Sequence, residues 1–519
     1  MTDTKTGAEA LIETLADLGV TACFANPGTS EMHLVTALDR EPRIRSVLCL
    51  FEGVASGAAD GFARIAGAPA MTLLHLGPGY LNAGANIHNA RRANVPMVNV
   101  IGDHATYHQR FDAPLASDIF GLVSPNSRWV KSVDTVEQAG PLASEAWAAS
   151  FGPEPQPVSL VLPADSAWLK GGVTGQTIEA PRLRAPDYAR IDAAAEALKT
   201  AKNPVCLING TALLDDGLPY AARLQAAGIC MITDTFVTRQ ARGAGRFMPE
   251  RLPYFAEQAM ESLEGVDLML IAGTKPPVAF FAYPGKESLL VPEGCETLSL
   301  GGPDYDSAAL LKALAEKIGA EEEAPPAPHK VPEIEPGPLT PVAVGQIVAK
   351  HLPENAIVAD DGVTGSLVTF APAATAAQHD WMMLTGGAIG IGMPLALGAA
   401  IAAPDRKVVC LSGDGAGMYT NQALWSMARE NVDVVTVVFV NHSYRILNIE
   451  LHRTGAGNPG PTAANMLNLG APEIDWQALA EAQGVPAETV ATIEDFEAAL
   501  QRAFLETGPR LIAAVVPSK

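Results

Sequence analysis

Short apolar runs rich in β-branched residues, each followed by a longer helical stretch, recur along the 519-residue chain. Few folds accept that pattern. Runs such as "KVVCLSGDG" and "VDVVTVVFVNHS" lack the polar alternation of a half-exposed strand, so neither face is made for water. They are stable as parallel strands buried on both sides, with helices covering each face of the sheet. The prediction is therefore an α/β protein. Its length exceeds what one hydrophobic core supports and points to about three domains. The 47 glycines, 40 prolines and 6 % aromatics suit a chain with many tight turns between elements.

Two segments interrupt the pattern. Residues 170–187, "KGGVTGQTIEAPRLRAPD", are rich in Gly, Pro and charge, and residues 321–341, "EEEAPPAPHKVPEIEPGPLTP", are acidic and proline-rich. Neither has the apolar content to build a core. They divide the chain into expected domains at 1–180, 188–320 and 340–519, each of ordinary size. The first holds the strand runs "VTACFA", "SVLCLF", "PAMTLLHL", "VPMVNVIG" and "PVSLVLPA". The second holds "PVCLING", "GICMITD", "VDLMLIAG" and "ETLSLGG", and the third "AIVADDG", "WMMLTGG", "KVVCLSGDG", "VDVVTVVFVNHS" and "RLIAAVVPS".

A net charge of −22 argues against nucleic acid and anionic membrane as partners, because both require a basic face. Cys23, Cys49, Cys206, Cys230, Cys295 and Cys410 show no CxxC spacing and mostly lie in apolar runs. They read as reduced, buried side chains of a cytoplasmic protein. The start, "MTDTKTGAEALIETLADLGV", reads as an amphipathic helix with Ala8, Leu11, Ile12, Leu15 and Leu18 on one face, not as a signal peptide. No uncharged apolar run is long enough to span a membrane.

Ligands of parallel α/β sheets sit at the carboxyl ends of strands. Asp414 and Asn441, 27 residues apart, stand at two such ends with one helix and one strand between them. A carboxylate, an amide oxygen and a backbone carbonyl, here that of Ser443, form an oxygen set suited to Mg²⁺, which completes its shell with phosphate and water. Gly413, Gly415 and Gly417 let backbone N–H groups approach a diphosphate, and a helix expected to start near Tyr419 points its positive end the same way. A GDG tripeptide alone also reads as a plain turn. The interval ending in Asn is the specific part.

"GDGAGMYTNQAL…VVFVNHSY" resembles the diphosphate- and Mg²⁺-binding signature of thiamine diphosphate (ThDP) enzymes. It departs from the usual Asn-Asn ending only in Val440, which leaves the metal set intact. The resemblance covers essentially the whole chain and is closest to the benzoylformate decarboxylase and acetolactate synthase branch. It implies pyrimidine-binding, middle and diphosphate-binding domains in that order. It also implies bound ThDP and Mg²⁺, and a homodimer or homotetramer with active sites between subunits. Within this resemblance "LCLFEGVASGAADGFARIAG" supplies Glu52 beside N1′ of the aminopyrimidine. A hydrogen bond there favours the imino tautomer, whose N4′ can take the C2 proton. Read without the resemblance, Glu52 is equally an acid favoured at a helix N-terminus. "LTGGAIGIGMPLALGAA" resembles the loop around the pyrimidine, with Ile389 as the wedge that bends the cofactor and the Gly387 carbonyl as acceptor for N4′. Thr364 stands at another strand mouth and reads as a diphosphate contact or a turn hydroxyl, while Ala416 and Tyr444 flank the cofactor site.

For the substrate, the resemblance points to Thr29 in "FANPGTSEMHL", with Asn26 and Gly28 beside it, and to His75 in "LLHLGPGYLNA" as a proton relay. The second His that benzoylformate decarboxylase draws from its middle domain is absent. "AGTKPPVAFFAYPGK" offers Phe280, Phe281 and Tyr283 in its place. His104 and His108 lie near the expected pocket, and Ile446 and Glu450 fall where the family lines it. A Glu there suggests a polar or cationic acceptor. The flavin-binding segment of acetolactate synthases has no clear counterpart in 188–320, so FAD is not expected.

The implied activity is decarboxylation of a 2-keto acid, with carboligation to an aldehyde. The alternatives are an acetolactate-synthase-type carboligase and a catalytically silent regulatory homologue, the latter expected to have lost Glu52, Asp414 or Asn441. A nicotinamide dehydrogenase would need a GxGxxG that "GDGAGM" does not complete.

Overall fold

The computed structural model describes residues 4–518, so residues 1–3 and 519, at the outer bounds of the two flanking domains expected above, lie outside it. Three sheets organise the chain. The first contains β1 (Ala22–Ala25), β2 (Arg45–Leu48), β3 (Ala70–His75), β4 (Met97–Asp103), β5 (Val130–Ser132) and β6 (Pro157–Pro163), in the order β2-β1-β3-β4-β6-β5, all parallel. The second is built from β7 (Pro204–Ile208), β8 (Cys230–Thr233), β10 (Glu250–Arg251), β11 (Leu268–Ala272) and β12 (Glu296–Gly301), in the order β10-β8-β7-β11-β12.

The third comprises β13 (Ala356–Asp361), β14 (His379–Met383), β15 (Val408–Gly413), β16 (Val434–Val440), β17 (Ala487–Val490) and β18 (Arg510–Val515). Its order is β17-β18-β16-β15-β13-β14-β9. The outermost strand, β9 (Gln240–Arg242), is antiparallel and comes from the middle stretch of sequence. Helices cover the sheets, as the uninterrupted apolar runs require, and the architecture is the α/β arrangement expected.

The strands without a sequence signature are β5, β9, β10 and β17. Three of them, β5, β9 and β10, are only three, three and two residues long. The polar β9, "QAR", is buried because the Arg242 guanidinium stacks 3.4 Å over the Phe370 ring and donates to the Phe370 carbonyl. The six cysteines are free, four of them buried.

Two helices bring the first and third sheets together. Helix Glu52–Ala66 packs on helix Gly392–Ala402, which is buried along nearly its whole length. A Cβ on Gly398 would fall 1.8 Å from the Ala58 carbonyl oxygen, so only glycine allows this approach. The buried Asp60–Arg64 pair closes the junction, with Arg64 donating to the carbonyls of Thr238 and Met383. Among the described residues, no helix is long and apolar enough to cross a membrane.

Candidate active site

In the third sheet the chain runs from β13 to β14 on one side, then returns to place β15 on the other side of β13. That reversal opens a crevice at the carboxyl ends of β13 and β15, where open α/β sheets bind ligands. Gly413 closes β15 and Asp414 follows it, 3 % exposed. Asp414 Oδ2 accepts the backbone N–H groups of Asn441 (3.0 Å) and His442 (2.7 Å), and Oδ1 accepts that of Gly415 (2.8 Å). One carboxylate thus ties the mouth of β15 to that of β16. His442 has φ 54°, the left-handed turn that aims two successive N–H groups at one oxygen. Burial pushes the Asp414 carboxyl above the usual carboxylate range, against the pull of those three donors.

The expected helix near Tyr419 does not form. A single helical turn, Asp414–Gly417, follows β15, and the next helix is Ala423–Glu430. Tyr419 and Thr420 are drawn out of helical geometry because they grip the Gly390 turn. Thr420 Oγ1 donates to the Gly390 carbonyl at 2.6 Å, and a Cβ on Gly390 would sit 2.5 Å from the Tyr419 Cβ.

This mouth suits a divalent cation and a diphosphate. Among the described residues no group of three or more His, Cys, Asp or Glu could hold a metal ion, and the carboxylate at this mouth is that of Asp414. Asn441 Oδ1 points back over the loop and accepts the Ser443 N–H at 2.9 Å. The space before Gly413 is open, since a Cβ there would meet nothing closer than 3.9 Å. Gly415 is closed over by the Tyr444 ring, 2.4 Å from where its Cβ would be. Thr364 opens helix Thr364–Thr369 at the end of β13, behind Val363 at φ 50°, an uncommon and strained backbone for a β-branched residue.

The first sheet repeats the reversal between β1 and β3. The crevice there is lined by Asn26, Gly28 and Thr29 after β1 and by His75, the last residue of β3. His75 Nδ1 lies 2.8 Å from Oε2 of Glu31, a fully buried residue that sequence reasoning missed although "GTSEMHL" contained it. Glu52 begins its helix, 7 % exposed, and Oε2 accepts from Asn82 Nδ2 at 2.9 Å, a second partner not anticipated. His104, at the end of β4, has a buried Nε2 without a hydrogen-bond partner, and the exposed His108 lies 5.3 Å from it, ring to ring.

Thiamine pyrophosphate enzyme models match the chain twice: the N-terminal TPP binding domain over residues 5–122 and the C-terminal TPP binding domain over 345–514. The Mycobacterium tuberculosis protein named "Putative acetolactate synthase large subunit IlvX" is 50 % identical over 514 residues, covering 99 % of each chain. The chain belongs to the thiamine pyrophosphate enzyme family. Benzoylformate decarboxylase of Pseudomonas aeruginosa is 28 % identical over 543 residues, 98 % of each chain. The fold of the Rhodococcus jostii RHA1 thiamine diphosphate-dependent 4-hydroxybenzoylformate decarboxylase superposes with a TM-score of 0.87 at 24 % identity, over 99 % of this chain and 100 % of that one.

In this thiamine pyrophosphate enzyme the Gly386–Gly392 turn is held from two sides. Asn89 donates to the Ala388 carbonyl and accepts its N–H, and His88 Nε2 lies 3.1 Å from the Gly386 carbonyl. Asp361 Oδ2 accepts the N–H groups of Gly390 (2.7 Å) and Gly392 (3.1 Å), while Oδ1 is buried and unpartnered. Ile389 packs half-buried against the core, and Phe280 stands over Gly387, 2.9 Å from where a Cβ would be. Burial pushes the Asp361 carboxyl up to about 7, with the neighbouring Asp360 adding to the rise. An unfolded Asp releases its proton near pH ~4. Between those values the native chain holds a proton that the unfolded chain lacks, so stability falls as pH rises through that window. The loss is on the order of 4 kcal/mol across it, at about 1.4 kcal/mol per pH unit. Asp361→Asn should remove this slope and gain stability at pH 8; equal slopes in urea unfolding of the two apo-proteins would refute it.

Glu450 departs from expectation. It is 9 % exposed and accepts the Tyr283 hydroxyl at 2.8 Å, with Arg453 Nε 3.8 Å from its other oxygen. Arg453 in turn pairs with Glu257 and lies over the rings of Phe255 and Tyr283. Through Oε2 the carboxylate latches helix Arg445–Arg453 to the middle stretch of chain, while Oε1 has no hydrogen-bond partner. Phe281 is 50 % exposed beside Phe280, and Ile446 is half-buried on the same helix as Glu450.

Proposed function

We propose that this chain is a ThDP- and Mg²⁺-dependent lyase that decarboxylates a 2-keto acid without oxidation and joins the acyl fragment to an aldehyde when one is offered. The observation that carries the reading is Asp414, one buried carboxylate bridging two strand mouths at the switch point of the third sheet. Asp414, Asn441 Oδ1 and the Ser443 carbonyl would hold Mg²⁺. Gly413, Gly415 and Ala416, with Thr364 and Tyr444, would cradle the diphosphate, and Gly387 and Ile389 would hold the pyrimidine. When bound, the cofactor supplies the electron sink for cleavage of the bond to the carboxylate.

The chain's own groups do the rest. Glu52, oriented by Asn82, presents a buried carboxyl for hydrogen bonding to the cofactor ring. Thr29 offers a hydroxyl to the substrate carboxylate, and His75 moves a proton at the mouth of the first sheet. Phe280 and Phe281 give the pocket an apolar wall. The 188–320 stretch would then be the middle domain between a pyrimidine-binding domain (1–180) and a diphosphate-binding domain (340–519) of a cytoplasmic enzyme.

An acetolactate-synthase-type carboligase is the second reading, favoured by the name of the relative at 50 % identity. A silent homologue is disfavoured because Glu52, Asp414 and Asn441 are all present. Measuring CO₂ release and identifying the product from a panel of 2-keto acids, with and without an aldehyde acceptor, separates the two active readings. An aldehyde as the product formed without an acceptor supports the lyase, and a 2-hydroxy-3-keto acid formed from two 2-keto acid molecules supports the carboligase. No release at all would leave neither.

The site is best completed by a second copy. Among the described residues no hydrogen bond joins Glu52, Asn82 or His75 to Asp414, Asn441 or Ser443. The Ala388 loop meets Asn89, about 10 Å along its helix from Asn82 at 1.5 Å rise per residue. Leu50 and Leu81 beside the first mouth, and Met418 and Tyr419 beside the other, are 39–61 % exposed, as surfaces covered by a partner would be. Mixing inactive Glu52→Gln and Asp414→Ala chains should restore roughly a quarter of wild-type activity if each dimer site draws on both chains. No recovery after demonstrated subunit exchange would place each site within one chain.

A further inference from the structure

Glu31 is buried completely, and a carboxylate so placed is costly unless paired. Its Oε2 accepts the Gly28 N–H at 2.8 Å and lies 2.8 Å from His75 Nδ1, while Oε1 is buried with no partner. The packing leaves it no room to turn. A Cβ on Gly102, beside His75 in the sheet, would come 1.8 Å from Oε1. A Cβ on Gly28 would come 2.4 Å from the His75 ring, so the imidazole lies flat against a residue that has no side chain.

We propose that Glu31 is the positioning residue for His75: it takes the Nδ1–H, fixes the ring, and leaves Nε2 as the nitrogen that exchanges protons with the substrate. The inference rests on the reading of His75 given above. Non-oxidative decarboxylation consumes one proton for each CO₂ released, R–CO–COO⁻ + H⁺ → R–CHO + CO₂. In the protonated ring Nε2–H gives that proton to the former carbonyl carbon, the N–H electron pair stays on nitrogen to leave the Nδ1–H tautomer, and solvent restores the proton through the 21 % of the side chain that is exposed. A carboxylate on the other nitrogen holds this tautomer and stabilises the charged ring. The ionisable groups around His75 are Glu31 from the turn after β1 and Glu52 across Gly79, with Asp103 and His104 following Gly102, its neighbour in the sheet. Of these, Glu31 is the one hydrogen-bonded to the ring. Burial holds the Glu31 carboxyl above its usual range while His75 draws it back.

The test reads the ring directly. In ¹⁵N-histidine-labelled protein without cofactor, with the His75 signals identified by their loss in His75→Ala, neutral His75 should be the Nδ1–H tautomer. Glu31→Ala should turn it into the mixture of tautomers of free imidazole. It should also lower kcat by about a hundredfold, with KM and ThDP affinity within about threefold of wild type. Glu31→Gln, which preserves volume, serves if the alanine variant does not fold, with intermediate values of both readouts expected. An unchanged tautomer or an unchanged kcat in the folded variant overturns the assignment. Wild-type protein that releases no CO₂ from any 2-keto acid overturns the underlying reading and this role with it, a failure seen before any variant is made.

Discussion

Asp414→Ala is expected to abolish cofactor loading, lowering ThDP affinity by more than about a hundredfold at limiting Mg²⁺. The substitution removes the one carboxylate available to the cation. It also leaves the N–H groups of Gly415, Asn441 and His442 without their acceptor. Each such buried group costs about 1–3 kcal/mol when unpaired, so the loop that holds Asn441 should relax as well. Calorimetric titration at several Mg²⁺ concentrations measures this. Wild-type affinity at limiting Mg²⁺ would remove Asp414 from the metal set, while a loss that high Mg²⁺ reverses would still support it.

Glu52→Gln should behave in the opposite way, binding ThDP nearly as well as wild type while kcat falls by about 10²–10⁴. The amide keeps the size and the hydrogen bond from Asn82 but cannot share a proton with a ring nitrogen. NMR measurement of hydrogen exchange at C2 of the bound cofactor isolates this from later steps. Exchange at the wild-type rate would take the role away from Glu52.

Much of the third sheet's mouth was legible because its geometry is local. Asp414 and Asn441 are separated by one helix and one strand, and parallel strands adjacent in sequence commonly pair, so an interval of 27 residues already implied neighbouring ends. The placement of Glu52 and His75 at strand and helix ends was readable for the same reason. The helix at Tyr419 was misread because the turn obeys a contact with Gly390, 30 residues earlier, over its own propensity. The contact of Glu450 with Tyr283 was not legible because the two are 167 residues apart.

By itself, then, the amino-acid order determined the α/β class, most of the strands and the placement of Asp414 and Asn441 at neighbouring strand ends, since each follows from hydrophobic period or from spacing within one β-α-β unit. Only the tertiary structure decided which strands became neighbours. That choice set the reversals between β1 and β3 and between β13 and β15, sent β9 to the third sheet, and brought Glu31 to His75 across 44 residues. The cause is physical. Strand order and buried polar pairs are settled by which surfaces exclude water together, and that depends on segments remote in sequence that meet only once the chain has folded.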